Sequence, residues 1–200
     1  MNIKTALWLL TFFGVLLWSV IEPKDLTTWF LEVFPALIGF GVLAWTYKSF
    51  PLTPLLYILI LFHSIVLMVG GHYTYAEVPL FDTLKEMFDM SRNNYDKVGH
   101  FTQGFVPVMI AREITIRKEV FKSRAWMNFF IVCFVLAFSA FYELIEWTVA
   151  MISGEGAEAF LGTQGYVWDT QSDMAWALFG AVVGLLLLSR YHDKQLERFY

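Results

Sequence analysis

The sequence predicts an all-α, polytopic membrane protein: residues 1–200 as a single integral membrane domain, a bundle of about six transmembrane helices. Three observations predict it. Of the 200 residues, 58% are hydrophobic and only 16% charged, where soluble domains carry roughly 25% charged residues. The apolar residues come in long blocks, several of them reaching the about 20 residues a helix needs to cross the hydrocarbon core. These blocks also lack the alternation of barrel strands, and helices are then the structure that satisfies backbone groups without water.

The predicted spans are 5–21, 29–47, 52–71, 98–112, 125–152 and 173–190. The first follows Lys4 and resembles a signal peptide. No small-residue cleavage pattern follows it, however, and Trp18, Glu22 and Pro23 read as the end of an anchored span. The fourth is short and contains Gly104 and Pro107, which membrane helices tolerate where neighbours satisfy the freed carbonyl. Spans one to three and four to six show no internal repeat of the kind common in transporters. The single cysteine, Cys133, lies inside an apolar block, so neither an intramolecular disulfide nor a cysteine-rich metal site is available.

A net charge of -4 gives no support for nucleic-acid binding; the expected partners are membrane lipids. The placement of Lys and Arg speaks to orientation instead. With the N-terminus inside, ten basic residues fall on the cytoplasmic side, including Arg112, Arg117, Lys118, Lys122 and Arg124. Four, Lys24, Lys85, Arg92 and Lys97, fall outside. The expectation is a bacterial cytoplasmic-membrane protein with both termini cytoplasmic. The stretch 112–124 reads as a positive-inside loop, or alternatively as an interfacial helix touching anionic lipid.

Four polar elements then fall at the outer ends of the spans. His72-Tyr73-Thr74-Tyr75 closes the third span. An interfacial aromatic belt explains its tyrosines, while His72 is a candidate ligand. Asp96 and His100, leading into the fourth span, are four residues apart. In a helix that spacing puts a carboxylate beside an imidazole at a metal or acid/base site; otherwise Asp96 is a cap. Glu143 and Glu146 stand within the long fifth span, three residues apart and on one face. Each ionisable group there costs about 2.5–3.5 kcal/mol to insert, and two neighbouring carboxylates in low dielectric need a cation, a metal or a shared proton. A structural pairing with neighbouring helices is the plainer reading. Asp169 and Asp173 enter the sixth span after the turn residues Gly162 and Gly165. One aspartate suits a helix start; two on one face suit a site.

Because Lys and Arg alone set the orientation, the meeting of His72, Asp96, His100, Glu143, Glu146, Asp169 and Asp173 on one side is an independent sign of a site. Two histidines and several carboxylates suit a divalent cation such as zinc, manganese or magnesium, so the expected cofactor is a divalent metal ion. His72, His100, Glu143, Glu146, Asp169 and Asp173 are the candidate ligands. Glu143, Glu146, His100 and Asp96 are the candidate catalytic groups.

The ordered set of the His72-Tyr-Thr-Tyr motif, the run 92–101, Tyr142-Glu143-x-x-Glu146-Trp147 and the run from Leu161-Gly-Thr-Gln-Gly to Asp173 resembles the YjdF family of bacterial inner-membrane proteins. The resemblance implies a multi-span inner-membrane protein and brings no activity with it. More remotely, Asp96, Lys97, His100 and Phe101, followed by a glutamate helix and by Asp173 and Gly180, are similar to VanZ-like membrane proteins. Here Ala177 stands at the usual asparagine, and Glu146 where the glutamate's usual partner is Gln. That similarity implies envelope chemistry. The function expected is a metal-dependent hydrolase or transferase acting on a lipid or envelope substrate. The alternatives are a proton- or cation-coupled transporter, which requires a polar path to the cytoplasmic side, and a structural accessory protein.

Overall fold

The computed structural model describes residues 3–153 and 158–199. In chain order the helices are α1 (Ile3–Val20), α2 (Leu26–Thr46), α3 (Pro54–Tyr73), α4 (Pro79–Met87), α5 (Tyr95–Arg117), α6 (Arg124–Ser153), α7 (Glu158–Leu161) and α8 (Asp169–Leu196). Short 3-10 turns, Tyr75–Glu77 and Glu197–Phe199, follow α3 and α8. No strand occurs among the described residues. Helices α1, α2, α3, α6 and α8 are each long and apolar enough to cross a membrane.

The remaining predicted span falls on α5, and its surroundings explain why hydropathy alone reads it weakly. At 23 residues it is about 35 Å long, enough for the hydrocarbon core. It carries Asp96, Lys97, Arg112, Glu113 and Arg117 yet packs against α3, α6 and α8, which shield it from lipid. The span predicted as 98–112 is therefore longer at both ends. Residues 112–117 continue α5, and only a short non-helical link, 118–123, leads to α6, so the interfacial-helix reading of 112–124 gives way to a plain loop. A short helix at the surface does exist elsewhere. It is α4, which exposes Leu80 and Met87 and packs Phe81 on Tyr95.

Helix ends follow local chemistry. Asp25 Oδ1 accepts from the Thr28 amide at 2.6 Å and caps α2. Pro54 opens α3, where its missing N–H is no loss. The closest helix pair is α5 and α8, and small residues make it possible: a Cβ on Gly104 would run into the Ala177 carbonyl, and one on Gly180 into the Phe101 carbonyl.

One end of the bundle gathers the α2–α3 link and the ends of α5 and α8. There Glu113 accepts from the Thr53 amide and hydroxyl, His192 contacts both Glu113 and Arg112, and Gln195 accepts from the Leu55 amide. A dry layer of Val108, Met109 and Ala181 lies above these groups. At the opposite end, α4, α7 and the starts of α5 and α8 surround the polar residues described next.

Candidate metal centre

The start of α5 decides the first pair. Asn94 occupies the cap position with no side-chain cap bond, and Asp96 is already helical. Asp96 and His100 therefore lie one turn apart on the same face, with His100 Nε2 3.3 Å from Asp96 Oδ1. The same holds in α8. Trp168 precedes the helix without capping it, leaving Asp169 and Asp173 one turn apart and buried. The capping explanation thus fails for both pairs.

His100 is the centre of the cluster. Its Nε2 lies 4.0 Å from Asp173 Oδ2, and its Nδ1 lies 3.9 Å from Glu143 Oε1 on α6. Gln103, one turn along α5, places Oε1 3.1 Å from Nδ1. That contact assigns the ring proton to Nδ1 and leaves Nε2 to face Asp96 and Asp173. Two sets of three side chains each bring ligand atoms within 4.8 Å of one another: Asp96, His100 and Asp173, and His100, Glu143 and Glu146. Ligands about 2.1 Å from a common zinc ion are at most about 4.2 Å apart. The His100 separations of 3.3 and 4.0 Å fit that limit.

The charge balance is uneven. Glu32, Asp96, Glu143, Glu146, Asp169 and Asp173 are all buried near His100, and Arg92 is the guanidinium among them. Arg92 pairs with Asp169, reaches Asp96 at 3.5 Å and donates to the Gly162 carbonyl at 3.1 Å. Gly162 has φ +60, a conformation that glycine adopts without strain, and so turns its carbonyl toward Arg92. Glu143 Oε1 and Asp173 Oδ1 have no hydrogen-bond partner among the described residues. An orphaned buried carboxylate oxygen is costly, and a cation or proton is what relieves it.

Of the predicted ligands, the fold brings together His100, Glu143, Glu146 and Asp173, with Asp96 completing the group and Asp169 held at its edge by Arg92. His72 is not brought in. Its Nδ1 faces the Ser19 carbonyl at 3.2 Å and its ring lies tilted against Trp18, so it ties α3 to α1 as an interfacial aromatic would.

Four residues of the site went unread in the sequence. Glu32 sits on α2 in a half of the chain that reads as scaffold, and a lone carboxylate inside an apolar span was the signal. Arg92 reads only as an outer positive charge, and its role needs α8 beside it. Tyr75 and Tyr142 flank Glu32, and nothing in local sequence separates them from belt tyrosines.

Comparison with known families now bears on this arrangement. A family model described as "Predicted membrane protein (DUF2238)" matches residues 4–194. The chain belongs to that family. It is 50% identical over 190 residues to the protein named "Inner membrane protein YjdF" of Escherichia coli (strain K12), covering 95% of this chain and 91% of the relative. These matches show the YjdF resemblance and do not show the VanZ-like one. No solved structure matches the chain. What is established is a multi-helix membrane protein, homologous to an inner-membrane protein.

Proposed function

We propose that this is a multi-pass protein of the bacterial inner membrane whose His/carboxylate centre holds a divalent metal ion at the outer face and catalyses hydrolysis or group transfer on a lipid or envelope substrate. The observation that carries it is His100, which meets carboxylates from its own helix, α6 and α8 while two of their oxygens have no partner among the described residues. Asp96, His100 Nε2 and Asp173 are the ligand set, oriented by Gln103 behind the imidazole. A metal bound there would polarise a phosphoryl or acyl oxygen and lower the pKa of water. Glu143 and Glu146, which cluster with His100 as well, would take the proton of an attacking water or hydroxyl.

Orientation rests on the uneven distribution of Lys and Arg, which favours cytoplasmic termini. A proton or cation relay is the weaker reading, since Val108, Met109 and Ala181 form a buried apolar layer between His100 and the polar groups at the other end.

The test is the metal content of purified protein by elemental mass spectrometry, with Asp173→Asn and His100→Ala variants matched for folding. Near-stoichiometric divalent metal in the parent and at least tenfold less in the variants is expected. No metal in the parent after supplementation would sink the reading.

A further inference from the structure

A cavity of about 180 Å³ runs from the metal centre into the middle of the bundle. Its upper end is polar, formed by Glu32, Asp96, His100 and Glu146, and its lower wall is apolar, formed by residues such as Pro35, Gly39, Ile60, Ile110 and Phe138. The wall is shared by α2, α3, α5 and α6. Of these, α3 packs on both α2 and α5, and α5 packs on α6, but α2 and α6 make no extended contact among the described residues. The two helices bounding this gap also expose apolar side chains, Phe34 and Ile38 on α2 and Phe134 and Phe141 on α6.

A bilayer offers such a gap one kind of occupant. An apolar cavity of about 150 Å³ accepts a benzene-sized molecule, so this one has room for a stretch of a single hydrocarbon chain and not for a double-chained lipid. A second polar group lies along the path: His63 lines the cavity wall below His100, and its Nε2 has no hydrogen-bond partner among the described residues.

From this we infer that the cleft between α2 and α6 admits a membrane amphiphile sideways from the bilayer, one hydrocarbon chain lying along Gly39, Ile60, Ile110 and Phe138 and the polar head meeting His100 and Glu146. The inference rests on the proposed function for the chemistry of the head, and the binding of the chain is measurable without it. It narrows the substrate class to lipids that enter within the membrane rather than from water.

Gly39 provides the test, because a Cβ there meets nothing within 4 Å, so Gly39→Phe projects a ring into the cleft without disturbing a helix contact. Gly14→Phe on α1, equally free of neighbours, is the folding control. Protein in vesicles containing a single-chain lysophospholipid with a photoactivatable group in its acyl chain is irradiated, and labelled peptides are mapped. Label on 35–39, 60, 106–110 and 138 several-fold above label on the exposed Leu7 and Leu10 is expected. Gly39→Phe should cut it at least fivefold and Gly14→Phe should leave it. Labelling of the cavity wall no greater than of Leu7 and Leu10, or unchanged by Gly39→Phe, would overturn the inference. Metal content measured on the same samples separates the two ideas: metal without cavity labelling leaves the centre standing and removes the lateral route, and the converse does the reverse.

Discussion

His192 Nε2 lies 2.9 Å from Glu113 Oε2, and both side chains are completely buried, at the end of the bundle opposite the His100 cluster. Arg112 Nη1 lies 2.9 Å from the other imidazole nitrogen, Nδ1. A guanidinium can only donate, so Nδ1 accepts, the proton sits on Nε2, and Nε2 donates to Glu113. The histidine is a neutral bridge between an arginine and a glutamate of the same helix. Arg112 Nε is the atom of the group left without a partner among the described residues, but with Thr53 and Arg117 also on Glu113, and Asp193 on Arg112, both carboxylate oxygens and both ring nitrogens are paired. That marks it as structural, in contrast to the orphaned oxygens around His100.

Replacing His192 by Phe leaves Arg112 and Glu113 each short of one partner. Hydrogen bonds to charged groups contribute about 1.5–3 kcal/mol each, although interhelical bonds in membranes average nearer 0.6. A loss of about 2 kcal/mol is expected, seen as a lower Tm in detergent with metal content unchanged. An unaltered Tm would show that the bridge does not hold α5 to α8.

The α5–α8 contact is predicted to reject even a methyl group. Gly104→Ala points a Cβ at the Ala177 carbonyl, and backbone on backbone has nowhere to move. Overpacking of this kind costs about 1–3 kcal/mol. Thermal melting should fall for Gly104→Ala and hold for Gly14→Ala, whose Cβ meets open space; equal melting of the two would contradict the close packing.

Arg92→Met removes the guanidinium from among six buried carboxyl groups and frees Asp169. Self-repulsion then rises, and a bound divalent ion offsets more of it. The expected result is a variant less stable than the parent in chelator, with the deficit largely restored by added zinc or manganese. A deficit the same with and without metal would argue that Arg92 acts only on the loop through Gly162.

At the same end of the bundle, in the link between α1 and α2, the Thr28 amide that donates to Asp25 holds its carboxyl below the ordinary aspartate value of 3.8. A lowered value means stability that is fully present above the unfolded value and is lost as pH falls through the folded one. Asp25→Ala should cost about 1 kcal/mol at neutral pH, and the gap between variant and parent should close as the pH drops below about 4. Asp25 is exposed, so high salt should reduce the pH dependence. A gap that persists at low pH would remove the capping role.

The sequence alone determined that this chain is a helical membrane protein of about six spans, and that Asp96, His100, Glu143, Glu146 and Asp173 deserve chemistry. Long apolar blocks can satisfy their backbones in lipid only as helices, and ionisable groups in such blocks are too costly to be incidental. Both facts are local, which is why they are legible. Glu32 carried the same signal, but on a helix distant in sequence from the other carboxylates. Whether an Asp at a helix start is a cap or a ligand depends on where the helix begins, and tertiary packing set α5 and α8 to begin early enough to put Asp96 and Asp169 inside. Orientation counting placed His72 near the others in depth, but not laterally, and its ring went to Trp18 and Ser19 instead. Arg112 and Arg92 read as topological charges because a count of Lys and Arg cannot see a partner 80 or 77 residues away. Only the tertiary structure decided these, since burial and pairing of a charge depend on which helices lie beside it.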